Sequence, residues 1–84
     1  MFKYYIEPNT QTYFKVALDE NQYAVVTLPY SQGGITYSDA TLSTNQPIGH
    51  RDRMQFENSS TLKPCSAIDF EAALAIAINV IKAF

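Results

Sequence analysis

The densest cluster of ionisable side chains in the sequence is the tetrapeptide His50-Arg51-Asp52-Arg53. In extended chain His50 and Asp52 share one face and Arg51 and Arg53 the other, because successive side chains alternate. Two guanidinium forks on one face suit a phosphate, which they meet bidentately, with His50 assisting. Upstream lie Gly33, Gly34, Tyr37 and many hydroxyls. Their backbone N–H groups and side-chain donors can close over an anion, and Tyr37 can stack on a base. The competing reading is a solvated strand end in which Asp52 neutralises its neighbours. The triplet His-Arg-Asp also occurs in protein kinases, but this chain is far too short and lacks the downstream Asn.

Other chemistry is sparse. His50 is the sole histidine and Cys65 the sole cysteine, so neither a His pair at ligand spacing nor a cysteine-rich metal motif exists. No Gly-rich phosphate loop or nucleophile elbow is present, and no cofactor is implied. Cys65 stands just before an expected helix N-terminus, a place where a thiol pKa can fall. The alternative is a structural, partly buried cysteine.

The whole chain has 84 residues, a net charge of −2 and only six Lys and Arg. That balance argues against a general nucleic-acid binder and supplies no polybasic membrane patch. The apolar run Ala72 to Ile78 falls far short of a membrane span, and the first residues lack a signal-peptide core. A cytoplasmic protein is expected, in keeping with a single cysteine. Its length suits one domain over 1–84, because neither half would have enough interior to be stable.

Strands are expected at about 2–7, 13–19 and 23–28 from period-two alternation, with 54–57 (Met-Gln-Phe-Glu) as a fourth. Between them, 31–49 reads as a long loop rich in Gly, Ser and Thr, within which Ile35-Thr36-Tyr37 offers a short edge strand. Ser66-Ala-Ile-Asp69 resembles a capping box with Asp in place of the usual Glu, so a helix is expected over about 67–84. The fold class is therefore α+β: an antiparallel meander of three to four strands with one C-terminal helix on one face.

At 100° per residue, Phe70, Ala73, Leu74, Ala77, Val80, Ile81 and Phe84 form one helix stripe. It is expected to cover a sheet face carrying Phe2, Tyr4, Ile6, Phe14, Val16, Leu18 and Phe56. Ile68, Ile76 and Ile78 lie off that stripe, so something besides the sheet must cover them. On the second sheet face Lys3, Tyr5, Tyr13, Lys15 and Tyr23 would stand together. Aromatics interleaved with lysines resemble a single-strand nucleic-acid platform, though tyrosines are also simply favoured in strands.

The leading expectation is a non-enzymatic interaction protein acting as a homo-oligomer, most simply a dimer. Ile68, Ile76, Ile78, Tyr5, Tyr13 and Tyr23 are its interface candidates. An accessory or inhibitor protein of the phage or mobile-element type fits by association alone. The second expectation is a binder of an anionic metabolite or nucleotide, using the region 31–53. A single-strand nucleic-acid binder comes third.

Overall fold

The computed structural model describes residues 2–49, 54–57 and 61–82. β1 (Lys3–Glu7), β2 (Thr12–Ala17) and β3 (Gln22–Thr27) form the antiparallel meander that the alternation predicts. Both connections are four residues long. In the first, the Glu7 carboxylate accepts N–H bonds from Asn9 (3.3 Å) and Thr10 (2.8 Å), and Gln11 closes the turn at φ 51°. In the second, Leu18–Glu20 makes a 3₁₀ turn ended by Asn21 at φ 55°. Asn tolerates that left-handed conformation better than most residues.

These loop lengths decide which side chains share a face, because residues directly opposite in an antiparallel pair point the same way. Four intervening residues set even-numbered positions of β1 against odd-numbered positions of β2 and odd against even, as in Tyr4↔Lys15 and Tyr5↔Phe14. The second connection repeats the change, giving Lys15↔Ala24 and Val16↔Tyr23. Tyr4, Tyr13, Ala24 and Val26 therefore face one way, and Tyr5, Phe14, Val16 and Tyr23 the other. The sequence expectation placed Phe14, Val16, Leu18 and Phe56 with Tyr4 beneath the helix. All four instead belong to the opposite face.

The region 31–49, expected as a loop, is largely strand. β4 (Tyr30–Gln32) and β5 (Ile35–Tyr37) pair as a two-stranded arm turned by Gly33 and Gly34, at φ 59° and 78°. Positive φ at both central residues is the type I′ hairpin requirement, which glycine meets without strain. β6 (Thr41–Pro47) then pairs with β3. Opposite Ala24 it carries both Thr44 and Asn45, a bulge with Asn45 at φ 55°. β7 (Lys63–Pro64) pairs with the free side of β1, so the sheet order is β6-β3-β2-β1-β7.

Residues 54–57, expected as a strand, are helical (α1). Four residues with two large apolar side chains, Met54 and Phe56, do not separate a period of two from a single helical turn. α2 (Ala67–Lys82) ends the described chain. Its capping box forms as the sequence predicts: the Asp69 N–H donates to Ser66 Oγ and the Ser66 N–H to Asp69 Oδ2, both at 3.1 Å. The Cys65 N–H donates to the Tyr4 carbonyl (3.0 Å), which ties the start of α2 to β1.

The fold is thus α+β, with an antiparallel five-stranded sheet covered on both faces. Val26, Phe70, Ala73 and Ala77 form the α2 side of the core, and Val16, Ile48, Phe56 and Leu62 the other.

Candidate interaction surfaces

α2 turns only one narrow side to the sheet. Phe70, Ala73 and Ala77 are buried there, and the Phe70 ring lies 5.8 Å from that of Tyr4. On the opposite side Ile68, Ala72, Ala75, Asn79 and Lys82 recur at alternating spacings of four and three, and all are exposed. That spacing makes a straight seam along a helix. Ile68 is 80% exposed and Ile76, on one flank of the seam, 49%. Ile78 on the other flank is half-buried. Of the three isoleucines expected at an interface, two therefore stand clearly in solvent. Glu71 lies near the first turn and Lys82 in the last.

The tyrosines expected to share an open face are divided. Tyr13 packs among the residues beneath α2. Tyr5 and Tyr23 lie on the other face, but Phe56 covers them: its ring stacks on Tyr5 at 6.2 Å and meets Tyr23 edge-on at 5.3 Å. Phe14 completes the cluster at 5.5 Å. Lys15 is on the α2 side, its ammonium 4.3 Å from the centre of the Phe2 ring, a cation–π contact that occupies both groups. An aromatic platform on one open face is not assembled.

The arm is a second exposed surface. Tyr30 and Tyr37 are directly opposite and stack at 4.7 Å with 17° between their planes. Gln32 and Ile35 lie on the same side of the arm, and Ser31 and Thr36 share a hydroxyl bond (3.2 Å) on the other. Ile35 is 57% exposed and Tyr37 45%. No charged residue occurs from Leu28 to Ser38. Sequence reasoning offered Ile35–Tyr37 as a short strand but missed its pairing with Tyr30–Gln32, although Tyr-Ser-Gln-Gly-Gly-Ile-Thr-Tyr carries a hairpin signal.

His50, Arg51 and Arg53 lie outside the described residues. Gly33, Gly34 and Tyr37, their expected companions in an anion site, are at the arm and line neither of two shallow cavities. The larger, about 260 Å³, is bordered by Phe2, Lys15, Glu20, Gln22, Thr44 and Asn45. The smaller, about 200 Å³, is bordered by Lys3, Val16, Leu18 and Asp19.

Cys65 is partly buried, as the structural reading of the sequence has it. Burial pushes its thiol above the ordinary value, and the nearby Asp69 charge adds to the rise. Whatever the helix dipole contributes, the thiol is not activated. Among the described residues no group of three or more His, Cys, Asp or Glu side chains could hold a metal ion, and no helix is long and apolar enough to cross a membrane. Neither the sequence nor the fold matches a known protein family, a curated protein or a solved structure.

Proposed function

We propose that the protein is a non-enzymatic interaction protein that works by surface contact and acts as a homo-oligomer, most simply a dimer, through the outer side of α2. One observation carries this reading: Ile68 and Ile76 stand 80% and 49% exposed, away from the side of α2 on which Phe70, Ala73 and Ala77 are buried. Scattered apolar side chains on a surface need no explanation. Here they are aligned with Ala72 and Ala75 along one side of one helix, and aligned apolar exposure marks a contact surface. The uncharged arm offers a separate surface for a further protein partner, which would make the dimer an accessory or inhibitor protein.

Light scattering of the purified protein at micromolar concentration tests the reading. A dimer or larger species is expected. Burying an isoleucine contributes about 1.5–3 kcal/mol, so Ile68→Asp with Ile76→Asp should give a folded monomer with unchanged helical circular dichroism. A wild-type protein that is monomeric throughout this range overturns the proposal.

A further inference from the structure

We propose that the occupant of the outer side of α2 is α2 of a second copy, running antiparallel about a two-fold axis beside Ala75. This inference rests on the reading above and adds to it the partner and its direction. The seam begins at Ile68 and ends at Lys82, so Ala75 is its midpoint. A two-fold axis there makes the seam self-complementary, as an isologous contact requires.

Charge fixes the direction. The first turns of α2 carry Asp69 and Glu71, and the last turn carries Lys82. Asp69 is held by the cap, which leaves Glu71 as the acid available to a partner. Among the described residues neither Glu71 nor Lys82 is held in an ion pair. In an antiparallel pair each Lys82 comes beside the Glu71 turn of the other helix, twice over. In a parallel pair Glu71 and Lys82 would stand about 16 Å apart along the axis and could not meet. Opposed helix dipoles favour the same direction.

Flank geometry agrees with it. In an antiparallel pair each flank of the seam faces the same flank of the other copy. Ile76, one residue from the axis, then covers its own counterpart, which removes the exposed isoleucine nearest the centre. Ala72 and Ala75 along the seam leave room for close approach.

Two measurements on the intact chain test this, both in a Cys65→Ser background. With single cysteines introduced under mild oxidation, Ala75→Cys should cross-link into a covalent dimer. Ile68→Cys should not, because antiparallel copies hold those positions about 21 Å apart along the helix axis. At low salt, Glu71→Lys or Lys82→Glu alone should raise the dimer dissociation constant by about tenfold, since two symmetry-related pairs become repulsive. Combining them should restore it. Equal cross-linking at Ile68 and Ala75, or a stable dimer that the charge reversals leave untouched, overturns the antiparallel pairing while the interaction reading stands. A monomer at every concentration overturns both.

Discussion

On one side of the sheet a sixteen-residue helix lays Phe70, Ala73 and Ala77 onto Val26. On the other, a single ring from a helical turn, Phe56, meets Tyr5, Phe14 and Tyr23. The two covers solve one problem by different means. α2 uses small residues to bring its backbone close, and its order comes from the cap and from many modest contacts. The Phe56 side uses large aromatic area, with Ile48 and Leu62 beside it, so its packing leans most on one ring and its geometry against three others. A change of the same size should therefore be felt differently on the two faces.

The largest effect is expected on the aromatic side. Phe56→Ala and Phe70→Ala should each cost about 3–5 kcal/mol in urea melts, with Phe56 at the upper end because three rings rest on it. A mild Phe56→Ala would show that those rings are covered by something else. Next comes overpacking, to which only the close helical face is sensitive. Ala77→Leu should cost about 1–3 kcal/mol, while Ala72→Leu on the outer side of the same helix leaves the melt of the monomeric Ile68→Asp, Ile76→Asp protein unchanged. Equal losses would mean that α2 is rotated from the orientation described.

The smallest effect separates the faces by pH. Burial raises the Tyr13 phenol above its ordinary 10.0, and burial with the Asp69 charge raises the Cys65 thiol above 9.0. In both groups the folded state prefers the protonated form. The stability this contributes is intact below the unfolded pKa values and is lost as pH rises past them, first Cys65 and then Tyr13. The urea midpoint should thus decline as pH rises past the ordinary thiol and then the ordinary phenol range. Tyr13→Phe with Cys65→Ala should flatten that decline, whereas an undiminished slope would place the alkaline weakness outside the α2 side.

The strands and the helix were legible for local reasons. β1 to β3 alternate, Ser66 and Asp69 cap, and Phe70, Ala73 and Ala77 share a stripe, all within a few residues of sequence. Which strand faces match was not legible from alternation. It depends on whether each loop holds an odd or even number of residues, and a one-residue slip reverses every side chain. β6 was missed because Thr-Leu-Ser-Thr-Asn-Gln-Pro is polar on both faces; it lies at the end of the sheet order and is recruited by β3 rather than by hydrophobic pattern. At the candidate surface, Ile68 and Ile76 were legible as residues off the stripe. Tyr5, Tyr13 and Tyr23 were not, since their burial depends on Phe56 and on loop parity, both distant in sequence.

The position of α2 in the chain has a consequence for biosynthesis. Every strand of the sheet is translated before any residue of α2, and domains acquire structure in the order in which they leave the ribosome. The nascent meander therefore presents Tyr4, Tyr13 and Val26 with no intramolecular cover. The Phe56 turn, translated earlier, can already close its own side. The unfinished chain is one-sided, and its vulnerable surface is the one that α2, translated after every strand, must seal.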